Sequence, residues 1–559
     1  MLSRLAEHWW LTGQVISYYQ PSHDMLKNTE SEKNTQLAIA WYTRCLNNHV
    51  DCKLEDTQST HYPSRLLDLQ GLDRDSTVRV VNTHGFESNC DYFALSHCWG
   101  GKVPIMLQAD NIEVLKRGIL LQELPLTFRQ AMTVTRTLGV RYLWIDSLCI
   151  IQDSFSDWEF ELSRMRDVYK YARLTIAATG SKNSAGGLYF DRDVDLVQAA
   201  LVPISWNGVP REIYILYDAS LWETNIIEAP LNQRAWVVQE RILSPRTLHF
   251  GNKQISWTCQ ELEACETFPG GLPQKHGTYN DFYIQRDLAQ DAAASVRSLW
   301  PRIATVYSSC GLTNEMDKAI AIAGIAEEIQ GRTGDVYYAG MWKSALVPQL
   351  CWTVDHCRNE MSGNGVTPKR SDIYRAPSWS WLSIDSNIEF YTNDHGSTEN
   401  FEIMIEVSRV DIQASTRNVF GSIRNGRLDC HGILIPARWI NRSTDSRARE
   451  MILLFGSNAI QHGDFWNDKP SQVVMDIGQD RQQLGDVFCL PLLSNTTTDS
   501  QYTGGSYIGL ILAATNQRRD EYERVGCFQL EFEQGKSLFH INDAVGRRST
   551  LPPCEFTIV

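Results

Sequence analysis

The feature that most constrains this chain is an alternation of signals between Tyr92 and Ala178. Three apolar stretches, Tyr92–Ser96, Tyr142–Ile151 and Leu174–Ala178, are separated by two segments with helical spacing, Thr127–Leu138 and Asp157–Ala172. Apolar runs of strand length that stop at glycine or polar residues read as buried parallel strands. A β-α-β-α-β order then requires helices on the faces of the sheet. The predicted class is α/β, with Thr127 as the N-cap of its helix. Tyr142–Ile151 is read as one strand and Asp157–Ala172 as one helix.

The rest of the chain is organised around this block. Its 559 residues correspond to about three or four domains at roughly 150 residues each. Residues 1–89 are expected to be an N-terminal extension with a helix around Gln36–Leu46 and a strand over Thr77–Val81. Residues 90–260 hold the α/β core, with further strands at Glu212–Leu216, Thr247–Phe250 and Gln254–Cys259. Residues 261–400 are expected to be mostly helical and to complete that core, with helices at Asp287–Tyr307, Met316–Ile329 and Met341–Val354. Residues 401–559 show short alternating strands and predict a β-rich domain, with an exposed loop at Asn495–Ser506.

Charge and composition exclude several function classes. With 52 Lys+Arg against 66 Asp+Glu the net charge is −14, which argues against a general nucleic-acid binder. No apolar run approaches the ~18 residues of a membrane span, and the first residues lack the apolar stretch of a secretory signal. The expectation is a cytoplasmic protein. Its 14 cysteines are spread irregularly, so most read as buried thiols and not as a disulfide framework.

Four places could carry chemistry. In Asp157–Ala172, residues Trp158, Leu162, Met165 and Tyr169 form one apolar stripe, and Glu161 falls about 60° from its centre. That position is the border of core and solvent, close to the end of the second apolar run, and ligands of open α/β sheets bind beyond the strand C-termini. A carboxylate half-buried there would have a raised pKa and could act on a hydroxyl or a developing cation; the plainer alternative is a surface ion pair with a neighbour such as Arg164. Asp146 interrupts an apolar run, so it must be hydrogen-bonded or stand at the strand end. The turn Ser96-His97-Cys98-Trp99-Gly100-Gly101 would let backbone amides approach a phosphate, although it is neither a Rossmann fingerprint nor a P-loop; an ordinary tight turn explains it equally. Cys45, His49 and Cys52 offer three soft ligands, with Cys90, His97 or Cys98 as a fourth, which is a weak structural-zinc signal without a second ligand pair at finger spacing. Cys149 reads as an inert buried thiol.

Taken together, several motifs resemble the fungal heterokaryon-incompatibility (HET) domain. They are Tyr92-Phe-Ala-Leu-Ser-His-Cys-Trp-Gly100, Leu124-Pro125-x-Thr127-Phe128, and the run from Leu138 to Asp153. Asp157-Trp158-x-x-Glu161-x-x-x-Met165-x-x-Val168-Tyr169 and Leu231-Asn232-x-Arg234-Ala235-Trp236-Val237-Val238-Gln239-Glu240-Arg241 complete the set. Trp41-x3-Cys45-x3-His49-x2-Cys52 upstream and Ala376-Pro377-Ser378-Trp379-Ser380-Trp381 downstream are also similar to full-length relatives.

The resemblance implies an effector of programmed cell death in fungal allorecognition. It also implies a fold remotely similar to Toll/interleukin-1 receptor (TIR) domains, a flavodoxin-like parallel sheet flanked by helices. Phe93-Ala-Leu-Ser96 corresponds to the first TIR strand. Ser156-Asp157-Trp158-Glu159-Phe160-Glu161 keeps the TIR spacing of Trp to Glu, with Glu159 standing where TIR domains have cysteine. In enzymatic TIR domains that glutamate serves NAD cleavage, so the resemblance implies an NAD glycohydrolase (an NADase, a hydrolase) with Glu161 as its catalytic residue. Ser96, His97, Trp99, Gly100, Trp144 and Asp146 become the candidate nucleotide contacts. It implies NAD or a related nucleotide as ligand, no required cofactor, and either self-association or an incompatibility partner protein. Two alternatives stand beside it: a self-associating signalling module without turnover, and a HET-like fold recruited as a small-molecule enzyme of secondary metabolism.

Overall fold

The computed structural model describes residues 9–12, 25–53, 61–86, 90–101, 105–204, 212–273, 292–355, 367–391, 401–415, 418–441, 451–455, 458–461, 472–477, 485–495, 506–515, 517–531, 540–542 and 548–559. The chain divides into two compact units, Met1–Arg286 and Asp287–Val559.

The first unit is built on a mixed nine-stranded sheet flanked by helices. Its strands, in chain order, are β1 Arg65–Asp68, β2 Thr77–Asn82, β3 Tyr92–Ser96, β4 Ile119–Leu120, β5 Tyr142–Trp144, β6 Leu174–Ala177, β7 Arg246–Phe250, β8 Ile255–Cys259 and β9 Glu263–Cys265. Across the sheet they lie in the order β9-β8-β7-β6-β3-β5-β1-β2-β4. The four central strands are parallel: β3 pairs with both β5 and β6, and β6 pairs with β7. Numbered among themselves in chain order, these four lie 2-1-3-4. Antiparallel strands extend the sheet on both sides, β1 against β5 and β8 against β7. The parallel core is mostly apolar, as a sheet covered by helices must be, with Arg246 and His249 of β7 among its buried polar residues. Phe93, Leu95, Leu143, Ile176 and Leu248 are fully buried, each contributing about 1.5–3 kcal/mol of hydrophobic burial.

The helices that place the site are α1 Glu32–Asn48, α2 Leu126–Thr137, α3 Asp146–Cys149, α4 Phe155–Leu162, α5 Met165–Tyr171 and α6 Ala235–Leu243. Ser31 caps α1 by accepting from the Asn34 amide. Three expectations from the sequence need correction here. Tyr142–Ile151 is a three-residue strand followed by the helical turn α3, because Asp146 takes a helical position and ends the ladder. Asp157–Ala172 is two helices with a break at Ser163-Arg164, so the stripe from Trp158 to Tyr169 is not continuous. Thr127 lies inside α2, behind Pro125; its hydroxyl accepts from the Gly187 amide at 3.0 Å.

The second unit joins helices Ala292–Ser308 and Ile320–Thr333 to a mainly antiparallel eleven-stranded sheet. Met341–Val354 is not one helix: it holds the strands Met341–Trp342 and Trp352–Val354 around the short helix Leu346–Gln349. Trp300, Trp342, Trp352, Trp379 and Trp381 are fully buried in this unit. Most of the loop expected at Asn495–Ser506 falls outside the described residues, as does the start of the expected helix Asp287–Tyr307. Among the described residues, no helix is long and apolar enough to cross a membrane.

Candidate functional site

The C-terminal ends of the parallel strands bring together most of the residues singled out in the sequence. Ser96 ends β3, and His97 and Trp99 follow it. Asp146 opens α3 just past β5, where its Oδ2 accepts from the Trp99 indole N–H at 2.7 Å and its Oδ1 accepts from the Ser147 amide at 2.6 Å. Placement at the strand end is what a carboxylate in an apolar run requires. Asp146 Oδ1 lies 3.7 Å from His97 Nδ1, too long for a hydrogen bond. Burial holds the His97 imidazole below its usual range, which Asp146 only partly offsets, so the ring is neutral.

Helix α6 completes this group with residues that the spacing argument passed over. Arg234, at the start of α6, donates to the His97 carbonyl. Glu240 is buried in a helix that is otherwise apolar apart from Gln239 and Arg241. Burial raises its carboxyl to about 7, against the pull of the Ser96 hydroxyl and Arg234. Ser96 Oγ faces that carboxyl without meeting hydrogen-bond geometry. Ser96 Oγ, both His97 ring nitrogens, Trp144 Nε1, Ser147 Oγ and Glu240 Oε2 are all buried without a hydrogen-bond partner. Each such atom costs about 1–3 kcal/mol if left unpaired, and native proteins concentrate such exceptions where a ligand, water or reaction uses them. The sequence signal for Glu240 is an acidic residue inside the mainly apolar stretch Ala235–Leu243, next to last in the motif Leu231–Arg241.

Gly100 has a more local task. Its φ is +70°, and a Cβ there would stand 2.0 Å from the Asn183 side chain. The close approach that requires glycine is to the chain itself. Trp144 is fully buried, edge-on to Tyr169 at 5.7 Å, while Trp99 is partly exposed.

Glu161 stands elsewhere. It is the one buried residue of α4, 1% exposed, and not the half-exposed border residue that the stripe predicted. Its Oε1 lies 3.7 Å from Arg65 Nη2 and has no hydrogen-bond partner. The same guanidinium bonds Asp157 at 2.5 Å and, through Nε, the Cys149 carbonyl at 2.7 Å. Burial raises the Glu161 carboxyl, with the Ser64 hydroxyl and Arg65 opposing it. Cys149 is buried with its thiol pushed up to about 12, an inert group. Among the described residues one cleft of about 280 Å³ lies between α1, α2 and β7, and another of about 430 Å³ lies in the second unit. Neither is lined by Glu161, Ser96, His97 or Asp146.

A third group lies at the end of α1. Cys45, His49, Cys52 and Cys259 place their sulfur and imidazole atoms within 4.8 Å of one another, all buried. Cys259 ends β8. It is the fourth member of the set, and Cys90, His97 and Cys98 are not part of it. His49 Nδ1 lies 3.3 Å from Cys259 Sγ and 3.7 Å from Cys52 Sγ. Burial is nearly complete at all four residues.

Residues 92–240 match the family described as heterokaryon incompatibility protein (HET). The chain carries a HET domain. No curated protein and no solved structure matches it. The HET match opens on the first residue of β3 and closes on Glu240, so it contains every member of the buried group at the strand ends. Arg65 and Ser64, the partners of Glu161, lie outside it, as do Cys45, His49, Cys52 and Cys259.

Proposed function

We propose that this chain is a heterokaryon-incompatibility effector whose HET domain acts on a nucleotide, with NAD as the candidate, at the C-terminal edge of the parallel strands. The observation that carries the reading is the concentration of buried, unpartnered polar atoms on Ser96, His97, Trp144, Ser147 and Glu240. The 2-1-3-4 order of the parallel strands supports it, because flavodoxin-like sheets bind ligands at the crevice between the first and third strands, here β3 and β6. That order also supports a remote TIR likeness. Cleavage of a nicotinamide–ribose bond develops an oxocarbenium-like sugar, which a fixed carboxylate stabilises, while nicotinamide leaves neutral. Two carboxylates compete for that role. Glu161 has it by resemblance, and its unpartnered oxygen would need Arg65 to yield. Glu240 faces the strand ends and ionises near neutral pH.

Full-length protein incubated with NAD and assayed for nicotinamide tests this. Turnover abolished in Glu240→Gln and kept in Glu161→Gln places the chemistry at the strand ends; the reverse pattern assigns it to Glu161. Absence of both NAD binding and nicotinamide release overturns the nucleotide reading.

One observation favours a second reading, a module that works by self-association. Helix α4 exposes Phe155 (75%) and Phe160 (54%), with Trp158 stacked on Phe155 at 6.2 Å. Exposed aromatics clustered on one short helix are typical of contact surfaces. Concentration-dependent assembly lost on Phe155→Ser with Phe160→Ser, without NAD turnover, would support this reading over the first.

A further inference from the structure

We propose that Cys45, His49, Cys52 and Cys259 bind one structural zinc ion that fastens α1 to the edge strand β8. The four side chains arrive from separate pieces of chain. Cys45 sits in the last turn of α1, and His49, four residues on, caps the same helix face. Cys52 follows in the next turn, whose Asp51 amide donates to Glu261 Oε1 at 2.6 Å. Cys259 comes from the end of β8, 210 positions beyond His49. The frame around them is already built: Trp41 of α1 packs on Trp257 of β8 at 6.5 Å and donates to the Pro269 carbonyl at 2.8 Å.

The ligand set and its dimensions suit zinc. A tetrahedral ion with Zn–S near 2.3 Å and Zn–N near 2.0–2.1 Å separates neighbouring ligand atoms by about 3.5–3.8 Å. The separations of 3.3 and 3.7 Å from His49 Nδ1 to the two sulfurs lie on either side of the about 3.6 Å expected between nitrogen and sulfur ligands of one tetrahedral ion. Four protein ligands, all buried, leave no open coordination position, so the site is structural and not catalytic.

A second, independent observation points to the same ion. Arg246 is 1% exposed, and its hydrogen bonds go to Cys45 Sγ at 3.4 Å and to the carbonyls of Arg173 and Cys52. None of these partners is a carboxylate. A buried guanidinium needs a counter-charge. Zinc with three thiolates and a neutral imidazole carries a net single negative charge, and Arg246 neutralises it. Four free thiol and imidazole groups would not.

The test uses the full chain, purified under reducing conditions without added metal. Elemental analysis should give about one zinc per chain, and exchange with cobalt(II) should give the visible bands of tetrahedral cobalt with thiolate-to-cobalt charge transfer in the near ultraviolet. Cys259→Ser should lose the metal and the spectrum, and Cys90→Ser should keep both. Should Cys259→Ser fail to fold, the cobalt spectrum of the unaltered chain decides. Reduced protein that holds neither zinc nor cobalt overturns the proposal, as does full zinc retention by Cys259→Ser.

Discussion

Arg246 of the first unit and Arg524 of the second solve the same problem differently. Arg524 in the second unit is fully buried, bonds Asp476 through Nε and Nη2 at 2.9 and 3.0 Å, and lies 3.4 Å over the Trp352 ring. Its remaining donors go to the Leu350 and Trp352 carbonyls. Arg246 in the first unit has carbonyls and a cysteine sulfur instead. Where a carboxylate is present the charge is closed within the protein. Where the guanidinium meets only carbonyls and a thiol, closure requires that thiols ionise, and a metal ion is what ionises several at once. The comparison shows how a buried cation reports the charge of its surroundings.

Removing each counter-charge in turn tests this contrast. The largest effect is expected for Asp476→Asn, which strands Arg524 without a counter-charge. Guanidinium unfolding should show a loss of about 3–5 kcal/mol in the transition of the second unit. Chelation of zinc should leave that transition in place and lower the stability of the first unit. Restoring zinc to about a thousandfold above its Kd should return about 4 kcal/mol. Arg246→Met should weaken zinc binding about 10–100-fold in competition with a chelator, the range found for groups that support metal ligands. Unchanged affinity would mean that the arginine does not balance the site's charge.

Glu240 supplies a pH test of the strand-end group. Its folded carboxyl titrates at about 7, above the ordinary 4.5, so the native state binds more protons than the unfolded state between these values. Its contribution is fully present below about pH 4.5 and is lost as pH rises through 7, amounting to at most about 3 kcal/mol. Wild type minus Glu240→Gln, measured by thermal unfolding across pH 5–8, should show that slope, and a flat difference would place the carboxyl in a wetter setting. The smallest effect belongs to Phe155→Ser and Phe160→Ser. Stability should move by no more than about 0.5 kcal/mol, because both side chains are exposed in α4, and the change should appear in sedimentation instead.

Much of the fold is legible in the residues because its signals are local. Tyr92–Ser96 is a strand as the apolar run indicates, and β6 matches its run to within one residue. The errors have local causes too. Asp146 redirected the second run into a helical turn, and Ser163-Arg164 divided a helix whose apolar stripe looked continuous. That division explains Glu161: a border position holds only for one continuous helix, whereas α4 turns the residue inward onto Arg65.

The residues by themselves determined the alternating elements, the HET motifs and three ligands at one helix end, since all of these depend on neighbours in the chain. Tertiary structure alone decided that Cys259 would join Cys45, His49 and Cys52, and that Glu240 would face Ser96. Periodicity states which face of an element is buried. It does not state what stands opposite, because that depends on pairing between segments far apart in sequence, and the chemistry of both groups depends on what stands opposite.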